Sequence, residues 1–315
     1  MKRRLMIPLF LCLIIILSSC NAYGHTEPIV PSPLLAPPGG PSYSREAVPS
    51  ELSPSPNPPP SQPPENIIDW TKWYKSKEKG IKVPILMYHN LLKGASQGDG
   101  LNVSEAAFED QVLCLKSYGY NGITFEDLYK HYMEGAQLPS NPIIIITFDD
   151  GYKSNYTIGY PILKKYGMKA CIFMIADAIG SPNYMSTDEL REVTASGIIE
   201  IQGHSMTHDD SLSTMEKSRL RKELKDSKAK LEEILGKTVN VFAYPYGKYS
   251  QSLMDELMAE GYIFSVTTEY GCASKQANPF LLPRIRAGGS DSGMVLKKRI
   301  EGLTGRKTPY IEKAY

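Results

Sequence analysis

Two adjacent carboxylates, Asp149 and Asp150, follow a run of four isoleucines at residues 143–146 and directly precede Gly151. Adjacent side chains on a strand point to opposite faces, so the two carboxylates act differently unless the chain turns there. Gly151 permits such a turn. The pattern predicts two carboxylates with two roles. The alternative is a surface Asp-Gly turn with solvated acids.

Two histidines, His204 and His208, stand four residues apart just after a predicted strand at residues 198–202. At this spacing both side chains lie on one face of a helical turn, where they can bind one cation. An aspartate and two histidines with open coordination positions form the ligand set of a catalytic metal. Alone, the histidine pair could equally be surface or core residues, but the aspartate pair at the end of another strand favours a metal site.

The isoleucine run and its neighbours place these residues on a parallel sheet. An apolar run without polar alternation is typical of a strand covered on both faces, and parallel α/β folds place chemistry at the carboxyl ends of their strands. Strand and helix signals alternate from residue 83 onward. Strands are predicted at residues 84–89, 122–124, 142–148, 170–175, 198–202, 239–244, 262–266 and 281–286.

Capping signals predict where the helices begin and end. A helix is expected at about residues 104–118, and capping boxes are predicted at residues 124–127, 186–189 and 213–216. Glycines should follow helix ends at Gly119, Gly167, Gly197, Gly236 and Gly261. The long helix expected from Ser213 carries leucines on one face, as an outer helix does.

The first 66 residues have the composition of an export signal and a tether. Three basic residues precede an apolar run at residues 5–17, and Cys20 follows Leu-Ser-Ser, which resembles the lipobox of bacterial lipoproteins. A plain secretory peptide is the alternative. Residues 21–66 hold 14 of the 24 prolines, which predicts an extended tether. We expect residues 67–82, which contain both tryptophans, to form a lead-in, and residues 83–315 to form the folded domain that carries the predicted site.

The net charge and the cysteine content limit the kinds of partner and of covalent cross-link that the chain can have. A net charge of +1 provides no basic face, so nucleic acid is excluded as a partner. Outside the export region three cysteines remain, Cys114, Cys171 and Cys272, and an odd number leaves at least one thiol free. Cys114 and Cys171 lie in apolar stretches, which predicts small core residues rather than a disulfide framework. We expect a monomer held to the outer face of the bacterial membrane by a lipid at Cys20, facing the cell wall.

Three motifs, Thr-Phe-Asp-Asp-Gly at 147–151, His-Ser-x-x-His at 204–208 and Tyr-Pro-Tyr-Gly at 244–247, resemble those of the polysaccharide deacetylases, carbohydrate esterase family 4. The resemblance covers residues 83–303. It implies a distorted, seven-stranded parallel (β/α) barrel that removes N-acetyl groups from amino sugars. By position, it implies Asp149 as general base, a divalent ion on Asp150, His204 and His208, and an oxyanion donor in the Tyr246 N–H. Zinc is the expected ion, with Co, Ni, Fe and Mn as alternatives.

The sequence also departs from the family pattern. The usual arginine of the third motif is replaced by Ala243, and the last strand, residues 282–286, lacks the usual Leu-x-His. With His89 ending the first strand, this resembles the poly-N-acetylglucosamine deacetylase subgroup. Arg284 and Arg286 fall on one face of their strand and could replace the missing partner of Asp149. His89 could be the general acid or an orienting residue.

The expected activity is metal-dependent N-deacetylation of an extracellular glycan, with peptidoglycan, poly-N-acetylglucosamine and chitooligosaccharides as substrate classes. One alternative is a wall-binding lipoprotein that holds glycan without hydrolysing it. Another is an amidase for a small non-sugar amide. The complete ligand set argues against the first, and the predicted export and tether argue against the second.

Overall fold

The computed structural model describes residues 81–94, 100–139, 142–274 and 276–311. The predicted signal, its cysteine Cys20, the tether and nearly all of the lead-in lie outside the described residues. Within those ranges no helix combines the length and apolar character that crossing a membrane requires.

Ten strands build the sheet structure of the described chain, and most begin or end near a predicted boundary. They are β1 Ile85–Tyr88, β2 Asn90–Leu92, β3 Asn102–Ser104, β4 Asn121–Gly122, β5 Ile143–Phe148, β6 Ala170–Met174, β7 Ile199–Gly203, β8 Val241–Ala243, β9 Phe264–Tyr270 and β10 Leu282–Arg286.

Seven of these strands close into a parallel barrel in the order β1-β10-β9-β8-β7-β6-β5, and β5 pairs back onto β1. In this closed register Leu86 of β1 lies opposite Ile285 of β10 on one side and Ile146 of β5 on the other. The short β4 pairs with the start of β5, while β2 and β3 form a separate two-stranded sheet. The predicted seven-stranded parallel (β/α) barrel is confirmed.

Seven α-helices connect and cover the described strands. They are α1 Glu105–Ser117, α2 Phe125–Tyr129, α3 Tyr160–Tyr166, α4 Thr187–Ala195, α5 Lys217–Leu235, α6 Gln251–Ala259 and α7 Gly293–Thr304. Wider π turns adjoin α2 and α3 at Lys130–Glu134 and Asn155–Gly159, and short 3₁₀ turns occupy Ala176–Ala178, Leu212–Thr214 and Pro245–Gly247.

The isoleucine run of β5 shows how the barrel uses both faces of each strand. Ile143 and Ile145 belong to the cluster that fills the barrel interior, together with inward residues such as Phe173. Ile144 and Ile146 belong to the cluster between barrel and helices. Because successive side chains alternate across a strand, one unbroken apolar run supplies both layers. All of β5 is therefore buried.

Two of the three predicted capping boxes are confirmed and one is wrong. The hydroxyl of Thr124 accepts from the Asp127 N–H and the Asp127 carboxylate accepts from the Thr124 N–H, and residues 186–189 repeat the arrangement. Ser213 instead lies in a 3₁₀ turn, and α5 starts four residues later than predicted. The carboxylate of Glu216 accepts from the N–H groups of the first helical turn, so Glu216 itself is the cap.

Several strand limits also differ from their predictions. The strand predicted at residues 262–266 runs from Phe264 to Tyr270, and the strand predicted at 239–244 is shorter. The strand predicted at 122–124 ends at Gly122, because Thr124 is committed to capping α2. Cys114, Cys171 and Cys272 are free thiols, as expected.

Candidate functional site

The residues predicted to do chemistry converge at one end of the barrel. His89 follows β1, Asp149 follows β5, His204 follows β7 and Arg284 lies on β10. Because these strands are parallel, their carboxyl ends all open on the same rim. Four separate stretches of sequence therefore supply one site.

A sharp turn after β5 separates the two carboxylates. Asp150 adopts φ 72° and Gly151 φ 80°, both in the left-handed region. A Cβ atom on Gly151 would overlap the side chain of Met174, and the positive φ is itself unfavourable for other residues, so both features favour glycine there. The predicted turn is confirmed, and it directs Asp149 into the barrel and Asp150 towards the two histidines.

Asp149 is held by a buried arginine of the last strand. Arg284 Nη1 donates to Asp149 Oδ1 at 2.6 Å, and Nη2 donates to Oδ2 at 2.7 Å, which is a bidentate pair. The guanidinium also donates to Thr147 Oγ1 at 3.1 Å and, through Nε, to the Thr267 carbonyl at 2.9 Å. Arg284 is only 1% exposed, so this cation is fixed for one partner.

Arg284 and Arg286 of β10 differ in burial and in their contacts. Arg284 contacts the carboxylate of Asp149, whereas Arg286 is exposed at the end of the strand. Within the described ranges no carboxylate lies within 4 Å of the Arg286 guanidinium. Of the two arginines that the sequence proposed, only Arg284 has the geometry of a partner for Asp149.

Electrostatics in the barrel favour an ionised Asp149. Burial raises the pKa of this carboxyl, but the Arg284 guanidinium outweighs burial and holds the pKa below its usual range. His89 Nε2 lies 3.8 Å from Asp149 Oδ2, and His89 Nδ1 is buried without a hydrogen-bond partner in the described structure. Burial lowers the pKa of His89 despite the neighbouring carboxylates. His89 is therefore neutral near pH 7.

Asp150, His204 and His208 form a compact triad of potential ligands. His204 Nε2 lies 3.4 Å from Asp150 Oδ1, His208 Nε2 lies 3.6 Å from the same oxygen, and all three ligand atoms lie within 4.8 Å of one another. Ligands about 2.0–2.1 Å from a tetrahedral ion are separated by about 3.3 Å, so the triad fits a zinc-sized cation with little movement.

The two imidazoles are prepared for coordination in different ways, His204 by a hydrogen bond and His208 by burial. His204 Nδ1 lies 2.8 Å from the carbonyl oxygen of Ala243, and an N–H at this atom leaves the Nε2 lone pair facing Asp150. Burial lowers the pKa of His208 to about 4, so this imidazole is neutral at physiological pH, which is the form that binds cations.

The loop that carries the two histidines is not the predicted helical turn. Ser205 adopts φ 64° and His208 φ 60°, which interrupt any helix between them. The two rings nevertheless lie 4.7 Å apart between centroids. The hydroxyl of Ser205 accepts from the His208 N–H at 2.9 Å, so a compact loop closed by a side chain replaces the helix.

Tyr246 borders the triad on its outer side. Its ring centroid lies 4.6 Å from that of His208, and the side chain is 57% exposed. Its backbone also has a positive φ of 58°, in the 3₁₀ turn that follows β8. The predicted oxyanion donor is therefore at the rim of the site.

Three residues that support the site were not predicted. Thr147 and Thr267 orient the guanidinium of Arg284, and Glu223 of α5 binds the histidine loop. Thr147 lies within the first motif and could have been considered. Glu223 stands fifteen residues beyond His208, on an ordinary charged outer helix, and carries no signal in the sequence.

The parallel barrel carries a buried carboxylate, Asp149, beside the Asp150-His204-His208 triad at the carboxyl ends of its strands. Comparison of the chain with known proteins identifies its family. A family model described as polysaccharide deacetylase matches residues 137–264. The polysaccharide deacetylase YxkH of Bacillus subtilis is 34% identical over 235 residues, which covers 75% of this chain and 81% of that protein. The chain belongs to the polysaccharide deacetylase family, hydrolases that act on the amide of N-acetylated glycans.

Further relatives agree with this assignment. The poly-beta-1,6-N-acetyl-D-glucosamine N-deacetylase of Staphylococcus aureus is 30% identical over 216 residues, covering 64% of this chain and 73% of that protein. Streptococcus pyogenes deacetylase PplD, solved with acetate, superposes with a TM-score of 0.66 at 29% identity, covering 70% of this chain and 99% of that chain. A polysaccharide deacetylase from Bacillus cereus gives a TM-score of 0.62 at 33% identity, covering 70% and 69%.

Proposed function

We propose that the protein hydrolyses acetamido groups of an extracellular N-acetylglucosamine polymer with the help of a divalent cation. The observation that carries the proposal is the buried Asp149–Arg284 pair beside the Asp150-His204-His208 triad. A base kept ionised next to a cation site is what amide hydrolysis by water requires.

Asp149 acts as the general base in this proposal. The bidentate contact with Arg284 orients its carboxylate and keeps it ionised, so it can accept a proton from the attacking water. Because Arg284 also bonds Thr147 and the Thr267 carbonyl, the base is held by the barrel wall rather than by a mobile side chain. Such rigidity reduces the reorganisation needed during the reaction.

Asp150, His204 and His208 would hold the cation, with zinc as the expected ion and Co, Ni, Fe or Mn as alternatives. When bound, such a cation lowers the pKa of water and polarises the acetyl carbonyl. The Tyr246 N–H at the rim would donate to the acetyl oxygen as negative charge develops on it.

Protonation of the departing amine needs a second group, and we assign it to His89. His89 is a titratable residue outside the proposed ligand triad. Its Nε2 lies within 4 Å of the Asp149 carboxylate, and its buried Nδ1 has no hydrogen-bond partner in the described structure. Its imidazole can therefore take up the proton that Asp149 holds and pass it to the amine. The missing Leu-x-His makes a replacement of this kind necessary.

Poly-N-acetylglucosamine is the substrate class we favour over peptidoglycan and chitooligosaccharides. Support comes from the Staphylococcus aureus relative, whose name records that polymer, and from the altered third motif with Ala243. The predicted lipid at Cys20 and the proline-rich tether suit an enzyme attached outside the membrane and working in the wall layer.

The test is release of free amines from each acetylated polymer, with and without a chelator. We expect release from poly-β-1,6-N-acetylglucosamine that stops on chelation, returns with zinc and is absent in His204→Ala and His208→Ala. His131→Ala is the matched control, because His131 lies in the π turn after α2 and contacts the Ala136 carbonyl. Polymer binding without amine release would instead support a glycan-binding role, and turnover of small amides alone would support an amidase.

A further inference from the structure

A single glutamate on an outer helix binds the loop that carries both proposed histidine ligands. Glu223 Oε2 accepts from the N–H groups of Met206 and Thr207, each at 3.2 Å. Glu223 Oε1 accepts from the Thr207 hydroxyl at 2.9 Å. These contacts involve Met206 and Thr207, the two residues that precede His208. The Glu223 carboxylate therefore binds the loop between the two proposed histidine ligands.

The burial of Glu223 indicates that this contact is specific. The residue is 8% exposed and belongs to the buried face of α5. No Lys, Arg or His lies within 4 Å of its carboxylate in the part of the chain that the structure describes. A buried carboxylate is costly unless it is compensated. Here the hydrogen bonds from the loop are the compensation.

The loop is shaped to receive an anion. Two successive backbone N–H groups converge on one oxygen, between residues with positive φ at Ser205 and His208. Successive N–H groups in such a turn form a concave anion site. Positive φ at non-glycine residues is unfavourable, so the conformation needs an external support. Glu223 fills the concavity and provides this support.

Other contacts hold the loop through different groups. The Ala176 and Asp177 N–H groups donate to the carbonyls of Ser205 and Met206 at 3.1 and 3.0 Å, and the His204 N–H donates to the Met174 carbonyl at 3.1 Å. None of these three bonds uses the N–H groups of Met206 and Thr207. Glu223 binds these N–H groups, and His208 follows them.

We propose that Glu223 is a positioning residue that sets the affinity of the Asp150-His204-His208 site for its cation, an inference that rests on the proposed cation site. It holds His208 within reach of Asp150 without itself being a ligand. Without it, the loop relaxes from its strained conformation and His208 leaves the triad. Residues that orient metal ligands typically change metal affinity by about 10- to 100-fold when removed.

The test measures zinc dissociation constants by competition with a chromophoric chelator, independently of any substrate. We expect Glu223→Ala to raise the constant by about 10- to 100-fold. Glu223→Gln should fall between wild type and Glu223→Ala, because the amide keeps one acceptor oxygen. Thr207→Val removes only the hydroxyl contact and should raise the constant by about 2- to 10-fold. The zinc concentration that gives half-maximal amine release should rise in parallel, with the rate largely restored at saturating zinc.

Glu256→Ala is the matched control. Glu256 is also a buried glutamate, 2% exposed, but it pairs with Lys217 and Arg221 of α5, away from the histidine loop. Its loss should lower thermal stability without changing zinc affinity. Equal constants for Glu223→Ala and Glu256→Ala would overturn the proposal. If Glu223→Ala does not fold, Glu223→Gln and Thr207→Val decide, and unchanged constants in both would overturn it.

One further variant separates this inference from the cation site itself. His204→Ala should lose zinc binding altogether. If His204→Ala keeps wild-type affinity, the triad is not the zinc site, and the role of Glu223 fails with it. If His204→Ala loses zinc while the Glu223 and Thr207 variants keep it, the site stands and only the role of Glu223 is wrong.

Discussion

Arg284→Met should reveal how strongly the base depends on its cationic partner. Methionine is also a long, unbranched side chain, but it donates no hydrogen bond. The change therefore leaves the Asp149 carboxylate, which is 3% exposed, without its bidentate partner. It also removes the contacts with Thr147 and the Thr267 carbonyl. Removing one member of a buried ion pair typically costs about 3–5 kcal/mol.

Protonation of Asp149 limits this cost in a way that depends on pH. A carboxyl with an unfolded pKa of about 3.9 can be neutralised at pH 7 for about 4 kcal/mol, and at pH 5 for about 1.5 kcal/mol. The charged carboxylate therefore contributes no more than these amounts to the destabilisation. The gap in stability between wild type and variant should therefore be larger at pH 7 than at pH 5, by up to about 3 kcal/mol.

The sign follows from the two directions of the pKa shift. In the wild type Arg284 holds the pKa of Asp149 below the unfolded value, so this stabilisation is present above about pH 4 and is lost as pH falls through the folded pKa. In the variant the guanidinium is absent, so we expect burial to dominate and to raise the folded pKa of Asp149 above the unfolded value. The variant therefore loses stability as pH rises from about 4 towards that raised pKa.

Urea unfolding of the metal-free protein at pH 5 and pH 7 measures the effect, with chelator present throughout. Arg286→Met is the matched control, because Arg286 lies two residues away on the same strand and is exposed. It should change stability by no more than about 0.5 kcal/mol at either pH. A gap for Arg284→Met that is equal at the two pH values would refute the view that Arg284 compensates the Asp149 charge.

Three further variants test other parts of the description. His89→Gln should lower kcat by about 10²- to 10⁴-fold with unchanged zinc content, as expected for a lost proton donor, and wild-type kcat would exclude that role. Burial raises the pKa of Glu200 to about 7, so the wild type should lose up to about 3 kcal/mol of stability as pH rises from about 4.5 to above 7. Urea titrations from pH 5 to pH 8 should show a shallower loss in Glu200→Gln, and identical slopes would contradict the assignment. Cys20→Ala should move the protein out of the membrane fraction, and unchanged partition on immunoblots would identify residues 5–17 as the anchor.

Local, mutually consistent signals in the sequence predicted the strands and helices of a parallel α/β fold, whereas the closed barrel was implied by the family resemblance. The isoleucine run of β5, the capping boxes at Thr124 and Ser186 and the five glycines predicted after helix ends depend on neighbouring residues, and the structure has them in place. The box predicted at Ser213 failed because Glu216 had a second use, as a cap for its own helix. A short motif does not distinguish two such uses.

The site was predictable where it consisted of motifs and unpredictable where it depended on tertiary contacts. The spacing of His204 and His208 correctly indicated neighbouring rings but suggested a helix, because nothing local reveals the positive φ at Ser205 and His208. Strand periodicity placed Arg284 and Arg286 on one face but could not rank them. Burial distinguishes the two as partners of Asp149, because Arg284 is buried within the barrel whereas Arg286 is exposed at the end of the strand.

The closed barrel explains how an arginine of the last strand can hold the base when the third motif offers only Ala243. β5 and β10 both pair with β1, so Asp149 and Arg284 lie one strand apart across the closure although 135 residues separate them in sequence. Inward side chains at one depth in a barrel share a single interior, whichever strand carries them. The electrostatic requirement for Asp149 is a buried cation at that depth, and a barrel can meet it from several strands. A missing family arginine is therefore weak evidence for a lost activity until the inward positions of the other strands have been inspected.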